Sequence, residues 1–373
     1  MRWLALPYWI CLAAPQESWR AVVETDHYVV RTTGERAHAE ALARHMELVY
    51  RTYAALLNYS KAPPQKFTIR LYRDHEEYRR HGAGGLALAH YSPKTRELVG
   101  SYDPDGMWAI FAHEGMHQFT DLVLPDFQKG VSSGQVPAWY CEGLADCVGN
   151  SEARENRLFL ATMRGYIAHM RTTVIRTAVR EGRTRPFREL LYLDQRGFVS
   201  ENGRLNYATA WSFVHFLMTA PKIEDPAKQI PSGKHKGKLV LFHNLLAAGR
   251  KREEAYAQAF GVARPADWDG WEKEWRVYVR SWPDPLAGTP MEGLSADLEN
   301  LDKTDGVYVG AIEEGTPCAK AGVRPSDVIV ALEGREVRHF GHLIPPLLRR
   351  KRGENAVLTV RRGQASVELT LSY

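Results

Sequence analysis

Apolar and polar positions along this chain follow different periods in different stretches, and those periods predict its elements. Between residues 20 and 31, Val22, Val23, Tyr28, Val29 and Val30 alternate with polar residues as a half-buried strand does. Residues 35–57 are rich in helix formers, with apolar side chains at helical spacing. Lys66–Tyr72 and Glu97–Tyr102 read as further strands, so residues 17–105 are expected to form a small α/β lobe. From residue 106 to residue 282 the pattern is almost wholly helical. Pro283, Pro285, Gly288 and Pro290 then punctuate a linker over residues 283–290. Residues 291–373 return to short strands, including 356–363 and 365–373. The expected fold class is α+β: a small N-terminal α/β lobe, a mainly helical domain and a β-rich C-terminal domain.

Composition refines this picture at three points. Charged residues make up 25% and apolar residues 44% of the 373, which suits an ordinary globular protein and excludes a disordered chain. Residues 1–16, MRWLALPYWICLAAPQ, have one Arg, a short apolar stretch and small residues at Ala13-Ala14. That is the outline of a secretory signal peptide, too short for a comfortable membrane span, so export to the periplasm or cell envelope is expected. The four cysteines predict no disulfide framework, because Cys141 and Cys147 fall on one helix and point apart. The basic run Arg349–Arg352 and the pair Arg361-Arg362 lack interleaved aromatics. They are read as solvated surface, and no nucleic-acid partner is expected.

The chemistry concentrates in two short stretches. Residues 113–117 read His-Glu-Gly-Met-His within an apolar helix for which Asp105 is the expected N-cap. The four-residue spacing stacks His113 and His117 on one helical face, where two imidazoles bind one zinc ion. Glu114 then flanks the open coordination position, placed to take a proton from attacking water. Gly115 suggests that something approaches this helix closely. A catalytic zinc site needs a third protein ligand. Residues 137–146, PAWYCEGLAD, predict a second buried helix in which Glu142 and Asp146 share a face. One carboxylate can bind metal while the other orients a ligand histidine.

These motifs resemble the gluzincin metallopeptidases, in which HExxH is completed by a downstream Glu, often as Glu-x-x-x-Asp. The likeness is closer to peptidase-MA-like domains of bacterial envelope proteins, and residues 207–217, YATAWSFVHFL, share the character of a helix found there. The resemblance implies one Zn2+ per chain on His113, His117 and Glu142, with Asp146 behind a ligand histidine, Glu114 as base and Tyr207 as oxyanion donor. The Gly-x-Met-Glu-Asn strand of the related aminopeptidases has no counterpart in residues 84–104, so endopeptidase action is favoured.

Residues 306–337 resemble bacterial PDZ domains through Gly315, Pro317, Ala319, Ala321, Gly322, Pro325, Asp327, Ile329 and Gly334. Cys318 stands where Ala is usual, and Ser326 where Gly is usual. The resemblance implies an extended peptide added as a strand, its C-terminal carboxylate held by the loop Gly293-Leu294-Ser295. The expected partners are a peptide or protein substrate and a C-terminal peptide ligand. Two other readings are a non-catalytic envelope binding protein with a structural zinc, and a zinc hydrolase of a non-peptide amide. A structural zinc site is closed by four protein ligands, whereas three stand out here beside Glu114.

Overall fold

The computed structural model describes residues 18–81, 88–123, 129–131, 133–163, 166–223, 228–284, 291, 292, 294–296, 305–351 and 353–372. The expected leader at 1–16, most of the 283–290 linker and Gly293 lie outside the described residues. The molecule is mixed α+β, with a helical N-terminal part and a β-rich C-terminal part.

The first sheet runs β1(Ala21–Glu24), β2(Tyr28–Thr32), β3(Phe67–Tyr72), β5(Glu97–Ser101), β4(Ala89–Ser92). Its centre is parallel and both margins are antiparallel. The single strand expected over residues 20–31 is a hairpin, because the Thr25 amide donates to the Tyr28 carbonyl and the chain reverses. Strand β4 was not anticipated. The helix α1(Arg36–Leu56) buries Leu42, Met46, Val49 and Tyr53, the helical stripe read from the sequence. Helix α2(His75–His81) precedes β4.

Helix α3(Met107–Val123) packs on α1, β4 and β5 with one side and on α4(Ala138–Gly149) with the other. Gly115 makes the first contact possible: a Cβ there would lie 2.7 Å from the Met46 methyl. All 12 residues of α4 are buried, the carboxylates Glu142 and Asp146 included. Pro137 is its N-cap. The helical layer continues through α5(Tyr166–Arg180), α6(Phe187–Leu190), α7(Gln195–Ser200) and α8(Gly203–Thr219). The hairpin β6(Glu152–Arg154)–β7(Arg157–Phe159) lies between α4 and α5, and the layer closes with α9(Lys236–Ala247), α10(Arg252–Phe260) and α11(Trp268–Arg280). Trp139, Phe213, Phe242, Tyr256, Trp268 and Trp275 fill the space between these helices.

Strands β8(Leu294–Ala296), β9(Val307–Ile312), β10(Val328–Leu332), β12(Ala356–Arg362) and β13(Ala365–Leu371) form a second sheet, in the order β13-β12-β10-β9-β8. Strand β11(Arg335–Glu336) pairs with β10. This sheet and helices α12(Pro317–Lys320) and α13(Phe340–Leu348) enclose a separate core around Val309, Ile329, Leu343 and Leu358. Ser326 adopts φ +71°, which explains why glycine is usual at that turn. The basic residues near the C-terminus are largely paired, Arg350 with Glu333, Arg361 with Asp305 and Arg362 with Asp327. The two parts meet where α13 packs on α5 and where His342 Nε2 lies 2.9 Å from Asp103 Oδ2. No helix among the described residues is long and apolar enough to cross a membrane.

Candidate metal centre

Asp103, not Asp105, starts helix α3. Its Oδ1 accepts the Asp105 and Gly106 amides, both at 3.0 Å, and its carbonyl accepts the Met107 amide. The turn at Pro104 sets the cap two residues earlier than the sequence pattern suggests. From there α3 carries His113 and His117 toward the middle of α4, which presents Glu142.

Three donor atoms converge at that crossing. His113 Nε2 and His117 Nε2 are 3.3 Å apart. Glu142 Oε2 stands 3.4 Å from the first and 3.5 Å from the second. A tetrahedral ion with bonds of 2.0–2.1 Å to nitrogen and oxygen requires ligand–ligand edges of about 3.3–3.5 Å. The triangle therefore matches a zinc ion in both size and donor chemistry. The site is inside the protein yet open at one edge: side-chain exposure is 6% at Glu142, 12% at His113 and 22% at His117.

Two of the three donors, His113 and Glu142, are held from behind. Asp146 Oδ1 lies 2.9 Å from His113 Nδ1, which turns Nε2 toward the triangle. Asp146 Oδ2 in turn accepts the Arg171 Nε–H at 2.8 Å. Gln195 Nε2 donates to Glu142 Oε1 at 2.8 Å, leaving Oε2 for the metal. Burial works to raise both carboxyls, but the histidines hold Glu142 well below the usual carboxylate range. Arg171 and His113 lower Asp146 as well. Both acids are therefore ionised, as ligation requires. Arg171 and Gln195 were missed from the sequence: they arrive on α5 and α7, and no local spacing ties them to either zinc helix.

Glu114 is not part of the triangle. Its Oε2 accepts the Tyr91 amide of β4 at 2.8 Å. Among the described residues β4 is the last strand of its sheet, and it packs against α3. Tyr207 is half-buried on the first turns of α8, with Trp211 and Val214 fully buried below it. Phe198 meets its ring edge-on at 5.1 Å and the Arg171 guanidinium lies over it at 5.0 Å. Burial raises the Tyr207 hydroxyl well above the ordinary tyrosine value, with Glu142 and Asp146 adding to it. His215, on the same helix, belongs to the core: its Nε2 lies 3.1 Å from the Ala161 carbonyl oxygen and its Nδ1 lies 2.9 Å from the Tyr278 hydroxyl.

Asp103, His339 and His342 form another group of metal-competent side chains among the described residues. Their hydrogen bonds argue for a clasp instead. His339 Nδ1 accepts the Gly341 amide and His342 Nδ1 accepts the Arg338 amide. The protons of the neutral rings then sit on Nε2, facing Asp103, where a metal would need lone pairs. Of the expected peptide loop, Leu294 is buried at the start of β8 and Ser295 follows it in that strand.

Comparison with known proteins fits the C-terminal part most directly. Residues 293–372 match the PDZ domain family. A curated relative, a probable periplasmic serine endoprotease of DegP-like type from Chlamydia trachomatis, is 31% identical over 83 residues. That match spans 22% of this chain and only 17% of the relative. Among solved structures, an HtrA-type protease with a decapeptide is 26% identical over 18% of this chain and 21% of that chain, with a TM-score of 0.18. The HtrA3 PDZ domain bound to a phage-derived ligand is 22% identical over 21% of this chain and 76% of that chain, with a TM-score of 0.18. An aminopeptidase N family protein from Idiomarina loihiensis spans 94% of this chain and 66% of that chain at 13% identity, with a TM-score of 0.39.

Proposed function

We propose that this chain is a zinc-dependent peptidase of gluzincin type, favouring internal peptide bonds, whose PDZ domain recognises the C-termini of peptides or proteins. The observation that carries the reading is the triangle of His113 Nε2, His117 Nε2 and Glu142 Oε2, with edges of 3.3–3.5 Å and an unligated Glu114 beside it. Among the described residues the triangle gains no fourth protein ligand, which favours an open catalytic site over a structural one.

Bound zinc would supply a Lewis acid that polarises a carbonyl and makes water acidic near neutral pH. The chain's own residues do the rest. Glu114 takes the proton of the attacking water and returns it to the leaving amine. The Tyr91 amide donates to Glu114 Oε2 and steadies the carboxylate. The free edge of β4 offers a substrate backbone a strand to pair with, extending to both sides of the cut bond. That geometry suits an endopeptidase. Asp146 keeps His113 in the tautomer whose Nε2 faces the metal. Tyr207 is the proposed oxyanion donor, on the strength of the family resemblance. The DegP-like relative is named as periplasmic, and the same compartment is proposed here together with removal of the 1–16 leader.

The test is a peptide-library digest read by mass spectrometry, run beside elemental analysis of the purified protein. About one zinc per chain is expected, lost in His117→Ala. Glu114→Gln should retain the metal and lose cleavage by several orders of magnitude, since the base is not a ligand. A Glu114→Gln protein that cuts as fast as the parent sinks the mechanism.

A further inference from the structure

We infer that the PDZ peptide seat is a composite site, in which arginines of the peptidase helices stand at its carboxylate end and select peptides with acidic C-terminal tails. The inference rests on the PDZ reading proposed above and adds a ligand class to it.

Strand β8 is the last strand of its sheet, so its outer edge has no strand partner among the described residues. It begins at Leu294, the end at which a bound carboxylate is expected. A cavity of about 630 Å³ opens against that end. On the PDZ side its wall is Leu294 and Ile312, directly opposite each other in register. The other wall comes from the peptidase part: Arg176 and Arg180, one turn apart on α5, and Arg280 at the end of α11. Helix α13 packs on α5, so this wall is in place while the PDZ domain is docked.

The charges in the cavity leave cationic capacity. Two acids line it, Asp284 and Glu313. Asp284 lies 3.7 Å from Arg176. Arg180 and Arg280 are exposed, and neither has an ion-pair partner among the described residues. A guanidinium binds a carboxylate with two parallel hydrogen bonds, a geometry that suits both a chain terminus and an Asp or Glu beside it. Exposed Ala311 and partly buried Ile312 give a terminal aliphatic side chain a surface to cover. A peptide seated along β8 thus places its last residue on the PDZ domain and its acidic neighbours against the arginines.

The experiment uses the full chain in the Glu114→Gln background, so that peptides are not cut. Two fluorescent pools are titrated: a random hexamer followed by Glu-Glu-Val, and the same followed by Gln-Gln-Val, both with free carboxylates. The acidic pool should bind roughly tenfold tighter, in line with a charge-assisted pair. The double substitution Arg180→Gln with Arg280→Gln should erase that preference and leave the neutral pool within about twofold. Equal binding of the two pools, or a preference that survives the double substitution, overturns the composite site while leaving PDZ recognition intact. Binding of neither pool overturns PDZ recognition, and this inference with it. An acidic pool whose amidated form binds as well as the free acid overturns the placement of the terminus.

Discussion

At the scale of single residues, the proposed metal centre depends on side chains outside its donor triangle. Arg171 neutralises Asp146, and Asp146 aims His113. Arg171→Met keeps much of the length but removes the charge, leaving a buried carboxylate with one partner fewer. Zinc affinity should fall about 10- to 100-fold, the usual cost of losing such support. Competition with a chromogenic chelator measures it, and an unchanged dissociation constant would assign Arg171 to packing alone. Tyr207 is the opposite case. Tyr207→Phe should lower kcat by roughly ten- to a thousandfold at constant zinc content, as loss of an oxyanion donor does. If kcat holds and only thermal stability drops, Tyr207 returns to the core it shares with Phe198.

Among elements, the decisive contacts are helix crossings made close by glycine. Helix α4 is squeezed between α8 and α3. A Cβ on Gly143 would lie 2.6 Å from the Ala210 carbonyl oxygen, and one on Gly149 would lie 2.9 Å from that of Ala109. Both obstacles are backbone and cannot step aside. Gly143→Ala should therefore destabilise the protein by about 1–3 kcal/mol. It should also weaken zinc binding, because Glu142 is the adjacent residue. Gly270 in α11 is the control: nothing lies within 4 Å of its Cβ position. Gly270→Ala should stabilise by roughly 0.5–1 kcal/mol through helix propensity. Thermal melts of the two variants should move in opposite directions; a shared direction would refute the crossing argument.

For the whole molecule, two separate cores are joined by the α13–α5 contact and by the Asp103 clasp. Stability against acid depends on buried histidines in the larger core. His215 is fully buried and His243 is 3% exposed. Burial holds both rings down at about 4. An unfolded histidine titrates near 6.5. Below that pH the unfolded chain takes up protons that the folded chain refuses, so stability falls as pH drops from about 6.5 to about 4 and then levels off. Each ring contributes on the order of 1.4 kcal/mol per unit of depression. Denaturant midpoints across this window should decline, and NMR should show both rings neutral down to about pH 4. Ring signals that titrate near 6.5 in the folded protein would remove the cause.

Local periodicity and spacing were enough to settle the α+β class, the α1 stripe, the two zinc helices and the PDZ-like turn signature. These features arise from residues a few positions apart, so short-range sterics and hydrophobic period encode them. The same spacing put His113 beside His117 and Glu142 beside Asp146. Only the tertiary structure decided that Glu142 joins His113 and His117 in the donor triangle while Asp146 backs His113, because that choice follows from how α4 rotates against α3. It also decided the cap at Asp103, the edge strand β4, and the arrival of Arg171 and Gln195 from helices remote in sequence. Such contacts are made by chain closure over 25 to 53 residues. Nothing in the composition of either partner marks them before the core brings them together.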